Sequence, residues 1–270
     1  MPTFIRPLFV AAAIGALALF TPAAQAATCG NTSGGFAQWK SDFAGEAKRA
    51  GIGARGLDAL AKTTYATRTI AADRNQKSFK YTLEKFMSVR GADTIVAQGR
   101  KRIAQNPAFY ASLEKQYGVP AGVIVAIHGM ETGFGRFMGD ANVLSAVATL
   151  SYDCRRSEFF TGHLIGALKL VDKGHLSPAT KGAMHGEVGH TQFLTGNVLQ
   201  YGVDGDGNGR IDLTTLSDAL ASTANFLRQK GWQPGKGFQE GQPNFRVIQE
   251  WNAAGVYQKA IAIMAGRIER

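Results

Sequence analysis

One carboxylate stands where a long apolar run stops. Val123 to Met130 holds no acid, Lys or Arg, Glu131 follows, and Gly133 and Gly135 come straight after it. Pro120 suits the first turn of a helix and the glycines suit its end. Glu131 then falls in the last turn, where helix carbonyls disfavour an anion. Ile127, Met130 and Phe134 add desolvation, and both effects raise a carboxyl pKa toward the range of a general acid. A helix-end Glu in water is the alternative on these residues alone. A second pattern is Asp204-Gly-Asp-Gly-Asn-Gly-Arg-Ile-Asp-Leu213. It sets oxygen side chains at the first, third and fifth positions, a glycine at the sixth and the Arg210 carbonyl at the seventh, which is the EF-hand loop pattern for Ca²⁺. The twelfth position is Thr215 instead of Glu, and Asp218 stands where it can reach back. The alternative is an Asp/Gly turn that binds nothing. The regular spacing favours a structural Ca²⁺ held by Asp204, Asp206, Asn208, Arg210 and Asp218.

Other groupings are weaker. His185, Glu187 and His190 lie close in sequence but without the spacing of a known zinc site. His128, one turn before Glu131, reads as a structural hydrogen-bonding residue. Neither cysteine neighbours a His as a nucleophile would, and there is no Gly-x-Ser-x-Gly, dinucleotide or phosphate-loop pattern. By elimination, a carboxyl group acting as acid and base is the catalytic candidate.

The elements that must position these groups read as helices. Phe36, Trp39, Phe43 and Ala47 recur at helical spacing, closed by Gly51 or Gly53. A short helix follows near 56–60, then an extended connection from Thr63 to Asn75. Phe79, Leu83 and Phe86 resume a helical face, and helices are expected over 92–105, 107–117 and 120–131. Downstream, helices are expected over 142–150, 155–173 and 191–201, from an N-cap at Ser217 to Gly231, and over 252–270. The segment 176–189 reads as irregular and 236–246 as loop or a small hairpin. Strand alternation is nearly absent, so the fold class is mainly α, with a boundary near 89–103.

The N-terminus is Met1-Pro-Thr-Phe-Ile-Arg6, an apolar run from Leu8 to Phe20, and Ala24-Gln-Ala26. That is the make-up of a secretory signal peptide over residues 1–26, too short for a membrane span of about 20 residues. An uncut anchor is the alternative. Export favours a single disulfide between the two cysteines, Cys29 and Cys154, over two unrelated thiols. The formal charge is +10, or +9 after removal of the signal, spread without a basic run or interleaved aromatics. The field suits an anionic wall polymer or membrane surface and argues against nucleic acid.

Four motifs in series carry a resemblance. Gly129-Met-Glu-Thr-Gly-Phe-Gly135, Leu150-Ser-Tyr-Asp-Cys-Arg-Arg-Ser-Glu-Phe-Phe160, Gly189-His-Thr-Gln-Phe193 and Tyr201-Gly-Val-Asp-Gly-Asp-Gly207 follow in fixed order. Together they resemble the lytic murein transglycosylases of the membrane-bound transglycosylase B type, from about Phe36 to the C-terminus. Asp73-Arg-Asn-Gln76 and Trp251-Asn-Ala-Ala-Gly-Val-Tyr257 also fit that family. The resemblance implies a lysozyme-like core (103–270) with an additional helical N-terminal region (27–102) and a groove for peptidoglycan strands. It implies Glu131 as the lone acid/base, which protonates the bond between N-acetylmuramic acid and N-acetylglucosamine and then closes a 1,6-anhydro ring. The family's arginine pair falls on Arg155 and Arg156 and its substrate-binding Gln on Gln192; His190 and Tyr201, inside the motifs, join them as substrate-binding residues. The family's late calcium ligand falls on Asp218. A soluble, periplasmic, monomeric enzyme without organic cofactor, stable membrane span or nucleic-acid partner is the expectation.

The chain departs from the family before Gln192. The family commonly has Gly-Ser-Trp-Ala-Gly-Ala-Met-Gly, whereas Gly182-Ala-Met-His-Gly-Glu-Val-Gly189 stands here. The serine thought to position the substrate acetamido group becomes Ala183, and Met-Pro-Ser becomes Leu194-Thr195-Gly196. Glu187 either serves as a second carboxylate, which would permit hydrolysis, or is a tolerated surface change. A muramidase and a non-catalytic wall-binding protein on the same fold are the rival expectations.

Overall fold

The computed structural model describes residues 27–75 and 81–270, and thirteen α-helices fall within them. The signal peptide expected over residues 1–26 lies outside the described residues. Helix α7 (Ala121–Thr132) occupies the centre: every residue from Ala121 to Met130 is buried. A helix apolar on all sides must be surrounded by protein. Its neighbours are α5 (Ala92–Gln105), α6 (Pro107–Tyr117), α11 (Leu216–Gln229) and α13 (Gly255–Ile268). Gly133 ends α7 in the left-handed region, with its N–H on the Gly129 carbonyl at 3.0 Å. Gly135 is also left-handed, and a Cβ there would lie 2.5 Å from the His190 ring, so only glycine lets the chain pass.

A second buried helix, α8 (Val143–Tyr152), is capped by Asn142, whose side chain accepts the Ser145 N–H at 2.9 Å. It packs against α9 (Ser157–Asp172), and α9 in turn receives α2 (Ala54–Ala61). Asp172 faces the first turn of α2 and accepts the N–H groups of Gly53 and Gly56 at 2.6 and 2.7 Å. An anion placed there offsets the partial positive charge of a helix start. Helix α1 (Phe36–Arg49) lays Phe36, Trp39 and Phe43 in an aromatic cluster with Tyr65 and Tyr152. Cys29 and Cys154 are bonded, closing a separation of 125 residues. In the chain-entropy account a loop of that length restricts the unfolded state by about 5 kcal/mol.

Several elements depart from expectation. The stretch read as an extended connection contains α3 (Thr67–Arg74). Its buried residues are Thr69 and Asp73, so the helix has no apolar stripe for periodicity to detect. Helix α12 (Phe245–Trp251) follows a loop over 236–244 and had no expectation of its own. Helix α10 begins at Thr195, not Thr191, because Gln192 is left-handed. Thr215 takes the N-cap position of α11, and Ser217 lies inside it. The remaining helix is α4 (Leu83–Arg90), and a two-stranded ribbon pairs β1 (Ala141–Asn142) with β2 (Lys181–Gly182). Among the described residues one apolar cluster runs from Phe36 to Ile268, with Ile103 packed partly buried against it.

Candidate active site

Helix α7 ends at the wall of a cavity of about 620 Å³. Glu131 opens into it, together with Arg90, Glu187, Gln192 and Trp251. One carboxylate oxygen, Oε1, accepts two hydrogen bonds. The Tyr257 hydroxyl donates at 2.6 Å and the Trp251 Nε1–H at 3.1 Å. Trp251 ends α12 and Tyr257 stands in the first turn of α13, so both donors come from the C-terminal helices. Burial pushes the Glu131 carboxyl above its ordinary value of 4.5, aided by the charge of Glu187; the two hydrogen bonds and Arg90 only partly oppose it. Burial and the adjacent Glu131 hold the Tyr257 phenol protonated, well above its ordinary value of 10.0. The site thus combines a carboxyl with raised proton affinity and two fixed donors that stabilise the carboxylate once the proton leaves.

The other expected groove residues divide. Gln192 lines the cavity, its backbone left-handed and its amide donating to the Gly189 carbonyl at 2.8 Å. Arg155 and Arg156 are not among the lining residues. Arg155 donates through Nε to Asp73 at 2.6 Å, and Arg156 donates to the same carboxylate. Arg74 joins Asp73 at 3.0 Å and Asp153 at 2.6 Å. A buried carboxylate demands such partners, and the pair is thereby turned onto α3, next to Ala72, which does line the cavity. His190 is not among the lining residues either. Its ring meets His128 at 3.0 Å, and its carbonyl accepts the Thr132 hydroxyl at 2.6 Å, so it braces the end of α7 from behind. Burial, with His190 and Arg102 adding to it, pushes His128 down to about 3, which leaves its imidazole neutral. Tyr201 is buried edge-on against Phe226 and supports the wall instead of facing the cavity.

The Asp/Gly loop converges as its spacing requires. Carboxylate oxygens of Asp204, Asp206 and Asp218 lie within 4.8 Å of one another. Asp204 accepts the Gly209 N–H at 2.7 Å, and Asn208 accepts the Arg210 N–H at 2.8 Å. Asp218 is fully buried, and its two oxygens take the N–H groups of Gly205 and Asp212 at 2.9 and 2.7 Å. Trp251, Tyr257 and Arg90 carried no expected role. The signal for the first two was the Trp251-to-Tyr257 motif, whose aromatic ends flank a helix break at Asn252.

The chain resembles known proteins in sequence and in fold. The model of the transglycosylase SLT domain matches residues 35–240. Membrane-bound lytic murein transglycosylase B of Escherichia coli (strain K12) is 41% identical over 121 residues, which are 44% of this chain and 34% of that protein. This chain thus spans about a third of the length of that curated relative. SltB3 from Pseudomonas aeruginosa, in complex with NAG-anhNAM-pentapeptide, has a TM-score of 0.80 at 29% identity, over 87% of this chain and 79% of that one. The Escherichia coli lytic transglycosylase Slt35 in complex with calcium has a TM-score of 0.72 at 22% identity, over 90% of this chain and 96% of that one, a likeness of fold alone. The mainly α, lysozyme-like architecture expected from the sequence is the one these neighbours share. The family model runs from the start of α1 to the connection between α11 and α12, and the chain belongs to the transglycosylase SLT domain family.

Proposed function

We propose that this protein is a peptidoglycan lytic transglycosylase that cleaves the β-1,4 bond between N-acetylmuramic acid and N-acetylglucosamine. The observation that carries the reading is the Glu131 carboxyl at the cavity wall, held by Tyr257 and Trp251 on a single oxygen. Protonated Glu131 gives its proton to the glycosidic oxygen as the bond from the muramoyl C1 breaks. The carboxylate then takes the proton of the muramoyl 6-hydroxyl, whose oxygen bonds to C1 and closes the 1,6-anhydro ring. Proton donation and recovery by one group need no water in the product. Support comes from the raised proton affinity of Glu131, and from the anhydro-muropeptide bound in the Pseudomonas aeruginosa neighbour. Residues 27–102 would flank the groove and 103–270 would carry the catalytic core, with export to the periplasm directed by residues 1–26. Among the described residues no helix is long and apolar enough to cross a membrane. The expected outcome of digesting purified cell wall is muropeptides with 1,6-anhydromuramoyl ends, detected by mass spectrometry. Digests without them overturn the reading.

The acidic loop fits a hard cation. Its donors are all oxygens, three of them carboxylates, and the buried Asp218 replaces the missing twelfth-position Glu. Asp204, Asp206, Asn208, the Arg210 carbonyl and Asp218 would hold Ca²⁺, which would supply structural charge neutralisation and no chemistry. A ligand that binds only the folded state stabilises it by about 2.7 kcal/mol at a hundred times its dissociation constant. Calcium titration is therefore expected to raise the melting temperature, and Asp204→Ala to remove that rise. A melting temperature indifferent to calcium in the native protein sinks the site.

A further inference from the structure

Glu131 shares its cavity with a second carboxylate, Glu187. Glu187 sits on a short loop that is closed at both ends. On one side β2 pairs with β1, and on the other Val188 and Phe193 exchange backbone hydrogen bonds at 2.9 and 3.1 Å. Across the loop, the Glu187 carbonyl accepts the Ala183 N–H at 2.9 Å, and Gly186 N–H reaches the Ala183 carbonyl at 3.0 Å. A Cβ at Gly182 would lie 2.1 Å from the Glu187 carbonyl, so the backbone is packed as closely as glycine allows. The side chain is oriented as well. Its Oε2 accepts the His185 N–H at 3.2 Å, and its Oε1 lies 3.6 Å from His185 Nδ1. The Glu187 side chain retains 26% of its exposure, enough to meet water in the cavity. A carboxylate fixed in direction, partly exposed, and opening into the same cavity as a carboxyl of raised proton affinity has the parts of a general base beside a general acid.

Building on the glycan-cleaving reading, we propose that Glu187, oriented by His185, activates water in this cavity, so that the enzyme also hydrolyses the bond it cleaves. Glu131 again donates its proton to the glycosidic oxygen as the C1–O bond breaks. Glu187 accepts a proton from water, and the water oxygen bonds to the muramoyl C1. The products are a free 4-hydroxyl on glucosamine and a reducing muramoyl end. Water and the 6-hydroxyl compete for one electrophilic carbon. The intramolecular hydroxyl has the advantage of proximity, and Glu187 offsets it by raising the reactivity of water.

The test counts both kinds of end in one digest. Purified cell wall is digested, reduced with borohydride and analysed by mass spectrometry, with undigested wall as the baseline. Hydrolysed ends are reduced and 1,6-anhydro ends are not. The native protein is expected to generate both. Glu187→Gln is expected to lower the ratio of new reducing ends to anhydro ends about a hundredfold, the lower end of the range for a lost general base. The ratio is read within each digest and does not depend on the total rate. His185→Ala, which leaves the carboxylate but removes its ring partner, is expected to lower the ratio by a smaller factor and guards against misfolding of the first variant. Anhydro ends alone from the native protein overturn the proposal and leave the transglycosylase reading standing. An unchanged ratio in folded Glu187→Gln also overturns it. Reducing ends alone would overturn the transglycosylase reading instead and leave Glu187 as the base of a hydrolase.

Discussion

Glu131→Gln is expected to lower wall cleavage by about 10³-fold, within the range for loss of a general acid and base, while raising thermal stability at neutral pH. The two effects share one cause. Burial raises the carboxyl pKa in the folded state, so ionising Glu131 costs the folded protein more than the unfolded chain. The sign follows from proton binding. As pH climbs past the ordinary value of 4.5, the unfolded state releases its proton first and gains relative to the folded one. Stability contributed at this position is therefore greatest below that value and declines as pH rises toward the elevated folded pKa. Glutamine does not ionise, and its oxygen still accepts from Tyr257 and Trp251. The variant should melt higher than the native protein at pH 7, and the difference should shrink at pH 4. Retained cleavage would remove Glu131 from the chemistry. A melting difference that ignores pH would show that its proton affinity is ordinary.

Such gains in stability on removing a functional group reflect strain held at a site for activity. The strain here is legible in the sequence only in part. Pro120 and Gly133 bracket the apolar run of α7 at its two ends, so local rules place Glu131 in its last turn. The Asp/Gly loop is equally local, apart from Asp218. The donors are not local. Trp251 and Tyr257 lie 120 and 126 residues from Glu131, on two separate helices, and no periodicity links them. Helix α3 is hidden for a different reason. What it buries is polar, and patterning rules look for apolar faces. Arg155 and Arg156 illustrate the same limit, because the carboxylate that orients them is 82 and 83 residues upstream. Basic residues in a motif suggest contact with an anionic ligand until the internal anion is found.

That internal anion carries the second large effect. Asp73→Ala is expected to destabilise the protein by about 3 kcal/mol and to reduce wall cleavage with it. Asp73 is almost fully buried and takes hydrogen bonds from Arg155, Arg156 and Arg74. Its removal leaves Arg155 and Arg156 without that carboxylate and Arg74 with Asp153 alone. Breaking a buried pair costs about 3–5 kcal/mol. The lower end applies because the arginine side chains are 30–41% exposed and water screens part of their repulsion. Burial alone would raise the Asp73 carboxyl, but hydrogen bonds and charge from Arg155 and Arg156 outweigh it and hold the group below its ordinary value of 3.8. A depressed folded pKa gives stability that is present above that ordinary value and lost as pH falls through the folded one. The native protein should therefore lose stability on acidification below about pH 4, a loss from this group that the variant cannot show. The functional effect runs through α3. Asp73 anchors the C-terminal turn of that helix, and its neighbour Ala72 lines the cavity that Glu131 faces. Equilibrium denaturation at pH 7 and pH 3, with wall turbidity clearance at pH 7, measures both consequences. A stability gap of the same size at both pH values would show that packing, and not charge, holds the three arginines in place.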